Sequence, residues 1–122
     1  MTESRLALET ANAVDRNYAG ALVQLGFTLD RLGQPEAALP HFERALELSP
    51  RDLNPHLFYN GLGECHLFMG HTNEAIEFFK KARAINPWIF FFSLGLAAAL
   101  GLRGDIDEAK ALWLNPSNPT LT

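Results

Sequence analysis

Apolar residues recur along this chain at three- and four-residue steps, and each run is closed by a glycine or a proline. In HLFYNGLGECHLFMG, residues 56–70, the stripe through Leu57, Phe58 and Leu62 predicts a helix that Gly70 stops. Thr72, Asn73 and Glu74 then offer capping chemistry for a second helix. Its apolar face is Ala75, Ile76, Phe79, Ala82 and Ile85, and Pro87 ends it because proline cannot continue the hydrogen-bond ladder. The stretch after Pro87 repeats the phrase, with Gly104 as the stop and Asp105 as the expected cap of a helix from Ile106 onward. Pro40 falls inside a predicted helix and should bend it.

Small residues reveal that these phrases are copies of one unit. Gly26, Gly33, Ala38, Ala45 and Pro50 return 37 residues later as Gly63, Gly70, Ala75, Ala82 and Pro87. Gly63, Gly70 and Ala75 return again 34 residues later as Ala97, Gly104 and Ala109. Larger residues keep the same step, since Leu8, Phe42, Phe79 and Trp113 are separated by 34, 37 and 34 positions. The extra three residues of the first interval fall in the linker 51–57. Gly63 and Ala75 are expected where the two helices of a unit cross, with Phe79 as the knob beside them. A single hairpin cannot bury its apolar face alone, so the units must stack.

The predicted fold class is therefore all-α, with helix-turn-helix hairpins stacked in a short α-solenoid. The whole chain, 1–122, reads as one domain: a half unit at 3–16, units at 19–52 and 56–89, a shortened unit at 90–114, and a tail at 115–122. Asn115-Pro116 cuts the last helix short. Beginning and ending on incomplete units, without a polar capping helix after Leu114, points to a fragment of a longer protein or to a partner that covers the open end.

Composition narrows the function classes. The 122 residues carry a net charge of -4, which argues against nucleic acid and against an anionic membrane surface. Cys65 is the lone cysteine, so no internal disulfide is possible and a reducing, cytoplasmic location fits. The first residues include Glu3, Glu9 and Asp15 and do not resemble a signal peptide. The uncharged run from Pro87 to Leu102 is shorter than the roughly 20 residues of a bilayer span. Its sister helices carry Asp30, Arg31 and Glu64, so a buried helix is expected there rather than a membrane segment.

The residues that could carry chemistry have simpler explanations. Cys65 and His66 are adjacent on a helix and point about 100° apart, so they cannot easily share an ion, and His71 lies in the turn beyond. No metal, cofactor or Cys/His nucleophile is expected from them, nor from His41 and His56. Gly61-x-Gly63 lies mid-helix with no Lys-Ser or Lys-Thr after it, and helix packing accounts for Gly63 better than phosphate binding does. Glu43 and Glu47 lie four apart on a helix with Arg44 between them, as on a solvated face. No catalytic residue is assigned, and the chain is not expected to be an enzyme.

Tyr59, Leu62, Gly63, Gly70, Ala75, Phe79, Ala82 and Pro87 together resemble the tetratricopeptide repeat. Leu22, Leu25, Gly26, Gly33, Ala38, Phe42, Ala45 and Pro50 match it in the first unit; Leu96, Ala97, Gly104, Ala109 and Trp113 match it in the third. The linker 49–70 and the stretch AAALGLRGDIDEAKAL are also similar to repeats that follow bacterial class III adenylate or guanylate cyclase domains, or winged-helix regulators. The resemblance implies a right-handed solenoid that binds a protein or peptide partner in a concave groove lined by the first helix of each unit. Carried over by position, that groove comprises Val23, Phe27 and Asp30, then Leu57, Asn60 and Glu64, then Phe91, Leu94 and Ala98. The basic residues with which chaperone-binding relatives clamp a terminal carboxylate are absent, so acidic C-terminal peptides should bind poorly. The alternative function is self-association, a homodimer formed through the uncapped edge at Trp113.

Overall fold

The computed structural model describes the backbone of residues 2–48 and 55–116, and side chains for 17–48, 55–89 and 92–116. Six helices occupy the described residues: α1 (Thr2–Arg31), α2 (Pro35–Leu48), α3 (Pro55–Phe68), α4 (Thr72–Ile85), α5 (Phe90–Arg103) and α6 (Ile106–Leu114). Each helix packs on the next, and α1 also touches α3 as α3 touches α5. The odd-numbered helices thus form one row and the even-numbered helices the other, as stacked hairpins require.

The glycine stops operate as expected. Gly33, Gly70 and Gly104 have φ of 78°, 83° and 101°, the left-handed region that a side chain disfavours. In each turn the second residue of the exit donates to a carbonyl five positions back: Gln34 to Leu29, His71 to His66 and Asp105 to Leu100, at 2.9, 2.8 and 2.9 Å. The three turns therefore share one bonding pattern, although their side chains differ.

Aromatic knobs set the spacing of the rows. A Cβ added to Gly26 or Gly61 would lie 2.8 or 2.4 Å from the Phe42 ring, and one added to Gly63 or Gly95 would lie 2.8 or 2.7 Å from Phe79. Phe42 and Phe79 are thus each wedged between glycines of two successive odd-row helices. Gly61, unexplained by the repeat ruler alone, is needed for the unit before its own. Phe42 and Phe79 are fully buried, in two core clusters. The first joins α1, α2 and α3 through Val23, Ala38 and Leu62; the second joins α4, α5 and α6 through Ile76, Leu96 and Leu112. At the third unit Ala97 stands where Gly63 stood, and Trp113, in the position of the phenylalanine knob, is 67% exposed.

Three details depart from the sequence expectations. α1 runs unbroken for 30 residues, through both the expected half unit at 3–16 and the first helix of the unit at 19–52. No glycine or proline stands between Glu3 and Tyr18, so nothing stops the ladder there. As expected, Pro40 lies inside α2; it is exposed, so water can serve the Glu36 carbonyl that loses its donor. The cap of α4 is His71 rather than a residue of 72–74, and it makes no side-chain capping bond. Asp105 does occupy the cap of α6, but its carboxylate pairs with Arg103 instead of the helix amides. The longer linker lies mostly outside the described residues, at 49–54.

α6 has 9 residues where α2 and α4 have 14. Beyond it the chain folds back, and the buried Ser93 hydroxyl donates to the Pro116 carbonyl while accepting from Arg83 Nε at 2.8 Å. The apolar run after Pro87 forms α5 and buries Phe92, Leu96, Ala99 and Leu100 against its neighbours. No helix among the described residues is long and apolar enough to cross a membrane.

Candidate functional site

α1 and α3 lie side by side in the odd row, and one helical turn on each faces outward between them. Phe27, Asp30 and Arg31 from α1 meet Leu57, Asn60, Glu64 and Phe68 from α3 around a pocket of about 590 Å³. Steps of three and four residues place 57, 60, 64 and 68 on one face of α3, as 27, 30 and 31 share a face of α1. Phe27 is held by an edge-on contact with the Phe42 knob, ring centres 4.9 Å apart. The pocket walls are therefore anchored to the core.

The floor is polar. Asp30 is 8% exposed and Asn60 4%. Asn60 Nδ2 donates to Glu64 Oε1 at 3.4 Å, and Asp30 Oδ1 is buried with no hydrogen-bond partner. Burial, and then the neighbouring Asp30 carboxyl, push the Glu64 carboxyl up to about 7, against weaker opposing effects of Asn60 and Arg31. Two carboxyls held together in a half-dry pocket do not both ionise freely. Near neutral pH Glu64 carries a proton part of the time, and the site favours a hydrogen-bond donor or a cation.

Of the positions expected to line a groove, Phe27, Asp30, Leu57, Asn60 and Glu64 share this pocket. Val23 is buried in the first core cluster. Leu94 and Ala98 border a separate depression of about 260 Å³ with Ala97, Ile106, Ala109, Lys110 and Trp113, on the outer face of the last hairpin. The Phe91 side chain lies outside the described residues. Arg31 and Phe68 were not anticipated from the sequence. Phe68 follows Glu64 by one turn, and that spacing was the available signal.

The other candidate groups divide cleanly. Cys65 is fully buried in the core, and burial together with nearby Asp30 and Glu64 pushes its thiol up to about 12, so it is a poor nucleophile at neutral pH. His66, near the end of α3, and His71, in the turn beyond Gly70, are brought together, their Nδ1 atoms 3.1 Å apart.

A row of glycine-locked hairpins carrying a pocketed inner face defines a helical-repeat interaction module. The chain belongs to the tetratricopeptide repeat family: one tetratricopeptide repeat profile matches residues 17–87 and a second matches residues 92–114. It is 38% identical over 87 residues to response regulator aspartate phosphatase A of Bacillus subtilis (strain 168), a match covering 65% of this chain and 22% of that protein. It is 30% identical over 116 residues to mouse superkiller complex protein 3, covering 92% of this chain and 7% of that one. With human protein arginine N-methyltransferase 9 it shares 37% identity over 83 residues, 67% of this chain and 9% of the relative. The chain thus spans less than a quarter of these relatives, and its function class is protein–protein interaction.

Proposed function

We propose that the α1–α3 pocket receives a basic side chain from a helical or extended partner segment, and that the module acts as a non-enzymatic adaptor within a larger bacterial signalling or regulatory protein. The observation that carries this reading is Asp30 Oδ1, a buried acceptor without a partner, beside a half-protonated Glu64. An ammonium or guanidinium entering between Phe27, Leu57 and Phe68 would satisfy Asp30 and displace the shared proton. The apolar walls would cover the aliphatic stem of Lys or Arg. Similarity to a response regulator aspartate phosphatase supports the signalling setting. A cytoplasmic location suits such a role.

The test uses two fluorescent amphipathic helical peptides that differ only by Lys or Glu at one central position. Anisotropy should show the Lys peptide binding about tenfold more tightly, which corresponds to ~1.4 kcal/mol. Its affinity should rise from about pH 6 to about pH 8, as Glu64 gives up its proton. Glu64→Lys should reverse the preference. Equal affinities for the two peptides, or no binding of either, would sink this reading.

A second reading is self-association, and the apolar depression at Leu94, Ala98 and Trp113 favours it. Light scattering across a concentration series should then show a dimer that Trp113→Glu disperses and Glu64→Lys leaves intact. A monomer at every concentration removes it.

A further inference from the structure

We propose that the turn between α3 and α4 is a surface site for a borderline divalent transition-metal ion of the zinc class, held by His66, His71 and Glu74. One ligand atom from each of these three residues lies within 4.8 Å of both others. His66 lies in the last turn of α3, His71 is the cap of α4, and Glu74 sits in the first turn of α4. The left-handed Gly70 and the His71-to-His66 backbone bond of 2.8 Å fix the two histidine backbones relative to each other. The two Nδ1 atoms, 3.1 Å apart, are close to the ~3.4 Å that two imidazole nitrogens span on a tetrahedral zinc ion. Without a metal, one ring can donate its Nδ1–H to the Nδ1 of the other; on metal binding that proton moves to Nε2 of its own ring, so that both Nδ1 lone pairs face the ion. Glu74 is exposed and can swing its carboxylate in as third ligand, leaving the fourth position to water.

The surroundings favour loading. His66 lies flat on Phe78, ring centres 5.4 Å apart and planes 10° apart. Phe78 is itself stacked near Tyr59, with the Lys81 ammonium 5.4 Å from its ring centre. That stack holds the His66 ring with Nδ1 toward His71. Glu43 of α2 and Glu74 add negative potential at the cluster. Arg103, on the far side by Asn73, is paired with Asp105. The carbonyl end of the α3 dipole attracts a cation, and the amide end of α4 opposes it, so the helix ends roughly cancel.

Comparison within the chain isolates the feature. The same turn in the first unit carries Leu29, Gln34 and Ala37, and in the third Leu100, Asp105 and Glu108. All three make the same backbone bond across the glycine, so two imidazoles and a carboxylate are no requirement of the hairpin. The site would staple α3 to α4 without altering the core.

Calorimetric titration of the whole chain with zinc chloride near neutral pH, in a non-chelating buffer, tests the proposal. One equivalent should bind with Kd on the order of 10 μM, whereas magnesium chloride should give no heat. His71→Asn and Glu74→Gln should each weaken binding about tenfold or more with an unchanged far-ultraviolet spectrum. Cys65→Ser should leave binding unchanged. Cobalt(II) in place of zinc should give visible bands without a thiolate charge-transfer band. The absence of saturable zinc binding, an affinity unmoved by either ligand variant, or a thiolate band would each overturn the site.

Discussion

Replacing Glu64 by Gln should stabilise the protein at high pH and leave it nearly unchanged at low pH. Glu64 has its carboxyl raised from 4.5 to about 7, first by burial and then by Asp30. Between those two values the folded state keeps a proton that the unfolded state has released. Stability from this group is therefore fully present below about pH 4.5 and is lost as pH rises through about 7. The whole displacement corresponds to about 3 kcal/mol, and screening by water at a half-buried side chain reduces this to about 1–2 kcal/mol. A glutamine side chain at this position copies the protonated acid: its carbonyl can accept from Asn60 Nδ2, and its amide can donate to the unpartnered Asp30 Oδ1. Urea unfolding followed by circular dichroism should show Glu64→Gln ahead by about 1–2 kcal/mol near pH 8 and level near pH 4.5, with m values unchanged. A gap independent of pH, or a variant less stable near pH 8, would refute the shared-proton account.

Glycine substitutions should separate close packing from chain flexibility. Gly61→Ala places a methyl 2.4 Å from the Phe42 ring and should cost about 1–3 kcal/mol, whereas Gly20→Ala meets nothing within 4 Å and should gain about 0.5–1 kcal/mol in thermal or urea unfolding. Phe79→Ala removes the knob between Gly63 and Gly95 and should cost about 3–5 kcal/mol by the same assay. Cys65, buried and with its thiol held up at about 12, should react with a disulfide reagent only at the rate of local or global opening, and reaction as fast as a free thiol would contradict its placement.

The hairpin stops illustrate what was legible without coordinates. Gly33, Gly70 and Gly104 announced three turns because a left-handed residue after a helix is strongly biased toward glycine, a local preference that needs no knowledge of the fold. The repeat of Gly63, Ala75 and Phe79 was equally visible, since a crossing of two helices demands small residues opposite a large one. Gly61 was not interpretable in this way, because its partner Phe42 belongs to the preceding unit. The unbroken α1 was also hidden: repeat register suggested a boundary where no residue enforces one.

The same division governs the sites. Periodicity by itself determined the helices and their hairpin pairing, and the resemblance to the repeat family pointed to the face of α1 and α3 that carries Phe27, Asp30, Leu57, Asn60 and Glu64. Only the tertiary structure decided that Asp30 and Glu64 share a pocket, that Leu94 and Ala98 lie with Trp113 instead, and that His66 meets His71. Helical wheels fix directions within one element, whereas proximity across elements depends on the angle and distance set by packed knobs and by a left-handed turn. Those quantities arise from all the contacts together, and so no single stretch of sequence states them.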